Sequence, residues 1–356
     1  MILYNYIKDE LEFKITPLYL KDKIIADSVL GYSLSFESPY KSSSEINNNV
    51  YTELFLKKEF FAKTPDIKSP GRRSPFEDYL KYYNKDIPIL IFLHGFSTKG
   101  EELKNHYRFI NNILNTNTAC LFINLPFHLS RRPQSEGSEN RMVYFDDVDT
   151  LLFFHQCVVD VKKAIDIVEK IISPDEINIC GLSLGSIVSV ISMANDKRIN
   201  KGILLFGGGN WKEIHWNGIS RFILKGNCAG TEKISKVKCS IYYSNFPKFL
   251  EKIKILNPDY FTLELDEEED LKTLCSKKCY LCDPLIFAHK INPEKVLMLN
   301  SRIDHFFSRK SSLMLWEELG RPEIHWFNYF HLSRILNKKL ILKNITAFLK
   351  KQSNPA

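Results

Sequence analysis

The chain has 356 residues, of which 44% are hydrophobic and 26% charged, enough for one large α/β domain with insertions. The net charge of +7 is scattered, and small basic knots such as Gly71-Arg72-Arg73 read as solvated loops, so no nucleic-acid partner is expected. Residues 1–10 lack a basic region followed by an apolar core, and the longest apolar runs are far shorter than a membrane span, so a cytoplasmic chain without a signal peptide is expected.

In chain order, residues 1–85 read as a lead-in. Residues 25–37 and 50–56 carry strand patterns that would extend a sheet antiparallel, with a Ser/Asn-rich loop between them and a second polar loop at 64–76. No task is assigned to this region. Residues 88–93 form a continuous apolar run, the pattern of a parallel strand buried on both faces, and end in His94-Gly95-Phe96-Ser97. A helix follows at 101–114, then a strand at 118–124 and a basic loop at 129–141. A long helix is predicted at 150–172, a strand at 176–180, a helix from Leu184, and a strand at 203–206 closed by Gly207-Gly208-Gly209. From 210 to 290 the pattern breaks. This insertion is predicted to cap a pocket above the strand ends, and its acidic run at 266–270 reads as solvated. Order resumes with a strand at 295–300, a helix at 309–319, a strand at 323–329 and a helix at 332–350. The expected fold class is α/β: a mostly parallel central sheet with helices on both faces. The core would comprise 86–209 and 291–351.

The chain is organised around Gly181-Leu182-Ser183-Leu184-Gly185, lying between a short β-rich run and a helical one. Strand, tight turn and helix with Gly-x-Ser-x-Gly at the turn form a nucleophile elbow, in which a serine hydroxyl projects from the sheet and both flanking glycines must be small. In open parallel sheets ligands bind beyond the carboxyl ends of the strands. Two downstream strand ends supply partners: Asp304 after the 295–300 strand and His331 after the 323–329 strand. His331 would take the Ser183 proton and return it to the leaving group, and Asp304 would fix the imidazole tautomer, so His331 is expected within hydrogen-bond reach of both. Asp283 is a rival acid, and His325, His305 and His289 are rival bases. The oxyanion would be held by the backbone N–H groups of Leu184 and Phe96, with His94 stabilising the loop. Arg131 and Arg132, on a loop after a strand end, are candidates to bind a substrate carboxylate or phosphate.

Eight cysteines are present; Cys120, Cys157 and Cys180 read as core thiols. Cys275, Cys279 and Cys282 crowd together, but a zinc site would need His289 or Cys239 as a fourth ligand and no second Cys-x-x-Cys exists, so reduced thiols and no metal are expected.

Together, His94-Gly95-Phe96, the Gly181–Gly185 elbow, Asp304 and His331 resemble the α/β-hydrolase superfamily over roughly residues 85–350. The stretches Asn124-Leu125-Pro126-Phe127-His128-Leu129-Ser130-Arg131-Arg132-Pro133 and Asp283-Pro284-Leu285 resemble a poorly characterised branch of it, similar to esterases and to dienelactone-hydrolase and peptidase-like relatives. The resemblance implies a serine hydrolase with no metal or organic cofactor, acting on a small-molecule ester or acyl substrate. Phe330 replaces the glycine that often precedes the histidine, and the frequent Val-Pro after the acid is missing. Amide or peptide hydrolysis, a lipase acting at membranes and a non-catalytic binding protein are the alternatives.

Overall fold

The computed structural model describes residues 1–8, 10–18, 25–26, 28–62, 80–96, 98–133, 142, 145–223, 235–263, 269–331 and 333–351. The 64–76 loop with its Gly71-Arg72-Arg73 knot, residues 134–141 of the basic loop, Cys228 and residues 266–268 of the acidic run lie outside the described residues.

Two short strands, β1 (Ile2–Leu3) and β9 (Phe261–Thr262), pair with each other; the other nine strands form one sheet. In chain order these are β2 (Lys14–Pro17), β3 (Val29–Glu37), β4 (Asn49–Lys57), β5 (Ile89–Leu93), β6 (Ala119–Ile123), β7 (Ile177–Leu182), β8 (Ile199–Leu205), β10 (Val296–Ser301) and β11 (Glu323–Phe327). Their order across the sheet is β11-β10-β8-β7-β5-β6-β4-β3-β2. The six strands from β11 to β6 are parallel, while β4, β3 and β2 extend the sheet antiparallel. Every residue of β5, β6, β7 and β10 is buried, as the unbroken apolar runs of β5 and β6 require. Antiparallel β3 instead alternates between more and less buried positions.

Among the helices that cover the sheet are α1 (Gly100–Leu114), α2 (Asp147–Ile171) and α3 (Leu184–Asn195). Asp146 caps α2 by accepting from Asp149 N at 2.7 Å. The chain passes from β5 to β6 on one side and returns to β7 on the other, so the loops after β5 and β7 diverge at a topological switch point. Phe96 and Ser183 stand on those two loops.

Within 210–290, the short helices α4 (Trp211–Trp216) and α5 (Ser220–Ile223) come first, followed by α6 (Lys236–Tyr242) and α7 (Phe246–Leu256). Tyr280 gathers the rings of Tyr243, Phe246 and Phe249 at 4.9–5.3 Å. The buried run Leu281 to Ala288 follows, with Leu285 filling the space a side chain at Gly209 would need. The start of the chain is fastened to this region and to α2: Tyr4 N donates to His155 Nδ1 at 2.9 Å, and Tyr4 Oη donates to Leu281 O at 2.8 Å.

Candidate active site

Ser183 closes β7 and N-caps α3 with φ 57° and ψ −112°, a left-handed conformation costly for a side-chain-bearing residue. The turn is held by Ser183 N donating to Leu205 O at 2.8 Å and Ser186 Oγ donating to Ser183 O at 2.6 Å. A Cβ on Gly181 would lie 2.1 Å from Gly185 O, and one on Gly185 would lie 2.4 Å from Leu93 O. Both atoms belong to backbone, so neither contact can relax, which is the physical content of the Gly-x-Ser-x-Gly spacing.

Asp304 lies in the loop after β10. Its Oδ1 accepts from Phe306 N at 2.7 Å and Phe307 N at 3.0 Å, which leaves Oδ2 to meet His331 Nδ1 at 2.8 Å. Both side chains are nearly enclosed, 3% and 10% exposed. The acceptor is a carboxylate, so Nδ1 carries the proton and Nε2 is left with a lone pair. The His331 ring packs on Phe206 (4.8 Å between centroids), Phe306 (4.7 Å) and Phe307 (5.9 Å). Phe206 follows Leu205, whose carbonyl anchors Ser183, while Phe306 and Phe307 share a cavity wall with Ser183. His331 and Ser183 thus share neighbours: Phe306 and Phe307 pack on the imidazole and line the cavity beside Ser183. Among the described residues no hydrogen bond joins Ser183 Oγ to His331; such contacts are often long before substrate binds.

The rivals are occupied elsewhere. Asp283 is fully buried, and its carboxylate accepts from Asn210 N (3.0 Å), Trp211 N (2.8 Å) and Leu285 N (3.1 Å). Burial pushes its pKa up to about 6 despite those donors. His325 pairs with Glu323, His305 stacks on Phe330, and His289 faces Asn257.

Leu184 is the first residue of α3, where a backbone N–H has no partner within the helix. The loop after β5 runs alongside: a Cβ on Gly95 would be 3.4 Å from Ser183 Cβ. Gly95 O accepts from His94 Nδ1 at 2.8 Å and Thr98 Oγ1 at 3.0 Å, while His94 Nε2 accepts from Leu125 N at 3.1 Å. His94 is thus a clamp between the β5 and β6 loops, and burial holds its pKa well below the usual range, which keeps it neutral. In a trans peptide N–H and C=O point in opposite directions, so fixing Gly95 O fixes the direction of Phe96 N–H.

Ser183, Leu184 and Phe96 line a cavity of about 120 Å³. Trp211, Ile214, Ser220 and Ile223 come to it from the insertion; Phe153 and Phe154 come from α2, and Phe306 and Phe307 from the acid loop. The contributions of α2 and the acid loop went unread in the sequence. The adjacent pairs Phe153-Phe154 and Phe306-Phe307 carried the signal, the second just two residues past Asp304.

Arg131 requires a correction. It is 0% exposed and lines no part of this cavity; its guanidinium pairs with Asp160 at 2.8 Å and donates to the carbonyls of Asn124 and Asn47. Its hydrogen bonds hold the chain after β6, so it has no face for a substrate anion. Arg132 is exposed and likewise absent from the cavity wall. Among the described residues no three His, Cys, Asp or Glu side chains are grouped to hold a metal ion. Cys275 Sγ turns to Lys277 O and Cys282 Sγ to Cys279 O.

No protein-family model matches the chain. A stretch of 72 residues, 20% of this chain, is 26% identical to the uncharacterised protein YdjC of Bacillus subtilis (strain 168); it spans 62% of that relative's length. Among solved structures, the acetyl xylan esterase from Paenibacillus sp. R4 is similar, with a TM-score of 0.56 and 14% identity over 95% of this chain and 89% of that one. Acetyl xylan esterase 1 from Thermoanaerobacterium sp. JW/SL YS485 gives 0.53 at 13% identity over 96% and 89% of the two chains. A cold-adapted esterase from an Arctic intertidal metagenomic library gives 0.50 at 14% identity over 92% and 96%. Likeness at these identities establishes the fold, and the chain has the α/β-hydrolase fold.

Proposed function

We propose that the protein is a serine hydrolase cleaving a carboxylic ester or thioester of a small molecule through an acyl-enzyme. The observation that carries this reading is the strained Ser183 elbow beside a cavity whose wall includes Phe306 and Phe307, the residues that pack on His331 and donate to Asp304 in the His331–Asp304 pair. His331 Nε2 takes the Ser183 proton as Oγ attacks the acyl carbon. The negative oxygen of the tetrahedral intermediate lies against the N–H groups of Leu184 and Phe96. His331 then protonates the departing alcohol or thiol. In the second half the same imidazole removes a proton from water, hydroxide adds to the acyl carbon, and the proton returns to Ser183 as the acid leaves. Asp304 stays ionised and stabilises the imidazolium. The esterase neighbours support the class of reaction, and peptide or amide cleavage on the same groups is the alternative bond.

Labelling with a fluorophosphonate, comparing wild type and Ser183→Ala, tests the reading. Wild-type labelling that disappears in the variant supports it. No labelling of either protein favours a binding protein on the same fold, and labelling that survives the substitution places the nucleophile elsewhere.

A membrane-associated lipase is supported by one observation: Phe222, Val237 and Ile241 on α5 and α6 are 64–70% exposed. Co-sedimentation with anionic vesicles, lost in Phe222→Ser/Val237→Ser/Ile241→Ser, is the outcome that reading requires. A reducing compartment is a further proposal, supported by seven free cysteines among the described residues.

A further inference from the structure

The cavity beside Ser183 has a composition that restricts what it can hold. Among its described lining residues none is charged, and only Thr150, Ser183 and Ser220 are polar. The Thr150 hydroxyl is already engaged, donating to Asp146 O at 2.6 Å. The wall contributed by α2 and its approach is a continuous run of rings. Phe145 and Phe153 lie 6.1 Å apart, Phe153 and Phe154 5.2 Å, and Phe154 and Trp211 5.3 Å. Trp211 is not a loose end of this run. Asp283 accepts from both Asn210 N and Trp211 N, pinning the start of α4 to the buried segment beneath it.

Both proposed oxyanion donors, Leu184 and Phe96, line this cavity with Ser183, so an acyl carbon at Ser183 directs its substituent into the ring-lined space. The volume of about 120 Å³ is somewhat below the roughly 150 Å³ of an engineered cavity that accepts benzene. We propose that this cavity is the acyl seat and that it selects an uncharged, apolar acyl group, aliphatic or a single ring, of about four to six carbons. Trp211 is the wall that sets the length. The inference rests on the esterase reading and adds the substrate class to it.

The test is a series of p-nitrophenyl esters from acetyl to dodecanoyl, with a hemisuccinate as the charged acyl group, run beside acetates of alcohols from ethyl to decyl. Fluorophosphonate labelling of Ser183 is measured on the same preparations. Each methylene that fills the seat should raise kcat/KM about three- to fourfold, the rate factor of burying one CH₂. The rise should end near six carbons, and the decanoyl and dodecanoyl esters should fall at least about tenfold below the optimum as the seat overfills. The hemisuccinate should react more than about a hundredfold more slowly than the butyryl ester, because its carboxylate would be buried without a partner. Trp211→Ala should raise the octanoyl-to-butyryl ratio of kcat/KM at least about tenfold, since removing an indole frees space for several methylenes; Ile223→Ala, a smaller truncation, should move it the same way. Labelling at Ser183 with a profile that stays flat or climbs through dodecanoyl, or that follows the alcohol instead of the acyl group, overturns the acyl seat and leaves the esterase reading standing. An octanoyl-to-butyryl ratio unmoved in both variants overturns Trp211 as the wall. Absence of labelling overturns the esterase reading itself.

Discussion

Arg131→Met should act on stability and not on substrate affinity. In the native fold the guanidinium and the Asp160 carboxylate are 0% and 1% exposed and 2.8 Å apart. Ser38 Oγ donates to the other carboxylate oxygen at 2.6 Å, and the Asn47 carbonyl that Arg131 serves also accepts from Gln156 Nε2 at 2.8 Å. Removing one partner of such a pair leaves a buried charge uncompensated, at a cost of about 3–5 kcal/mol. With an unfolding entropy of about 2.1 cal/mol/K per residue, 356 residues give about 0.75 kcal/mol/K, so Tm should fall by roughly 4–7 °C. The pH dependence is a second signature. Burial already raises the Asp160 pKa, and Arg131 opposes that rise, so the variant carries a still higher folded pKa. An acid with a raised folded pKa loses stability as pH climbs from its unfolded value toward its folded one. The deficit of the variant against wild type should therefore be larger at pH 8 than at pH 4.5. Arg131→Met/Asp160→Leu, which removes both charges, should recover much of the loss. Differential scanning calorimetry across pH, with KM measured on a short-chain ester, decides the matter. An unchanged Tm with KM raised tenfold or more would refute the anchoring role and restore Arg131 as a substrate ligand.

Asp304→Asn should leave Tm near wild type yet lower kcat by about 10⁴, the loss expected when the imidazole is held in the wrong tautomer; a drop of only a few-fold in stopped-flow turnover would exclude Asp304 as the orienting acid. Gly185→Ala should cost several kcal/mol or prevent folding, because the new methyl meets Leu93 O at 2.4 Å and His94 O at 2.9 Å; soluble protein with wild-type melting would contradict the packing of the elbow. Asp283 gives a pH signature of fixed sign. Its folded pKa of about 6 lies above the unfolded value of 3.8, so its ionisation removes about 3 kcal/mol of stability as pH rises from 4 to above 6. Subtracting the Asp283→Asn melting profile from that of wild type should reveal this fall, and a difference independent of pH would show that Asp283 does not titrate there.

The parallel strands and the elbow were legible because both depend on local pattern. Residues 88–93 and 119–123 are apolar without interruption, and only strands covered on both faces tolerate that; they became β5 and β6. Gly181, Ser183 and Gly185 announce their turn because the backbone contacts there exclude a methyl group. Asp304 and His331 were chosen because strand ends in this architecture deliver side chains to one edge of the sheet, and the structure brings the two within 2.8 Å of each other. The helix expected at 332–350 begins later: a short 3-10 turn occupies Ser333–Asn337 before α8 (Lys339–Leu349). That interruption lets the chain after His331 change direction before it joins the helical layer.

Burial of polar groups was the part that could not be read. Arg131, Asp283 and Asp304 are all polar residues beside strand or helix ends, and each was a candidate for a site: Asp304 as the acid, Asp283 as its rival and Arg131 as an anion ligand. The structure separates them by what surrounds each one. Arg131 turns its two terminal guanidinium nitrogens to Asp160 and two carbonyls, and Asp283 accepts from three backbone N–H groups. Asp304 satisfies one oxygen with the backbone of its own loop and leaves the other for a histidine. A carboxylate with both oxygens turned to backbone N–H groups stabilises a helix start; one with an oxygen reserved for an imidazole can support chemistry. What separates them is which groups each side chain faces: partners 7, 29 and 84 positions away for Arg131, two, 72 and 73 positions away for Asp283, and two, three and 27 positions away for Asp304. No local window around Arg131 contains Asp160 or Asn47, and none around Asp283 contains Asn210 or Trp211, which is why the loop arginine looked like a ligand and proved to be an anchor.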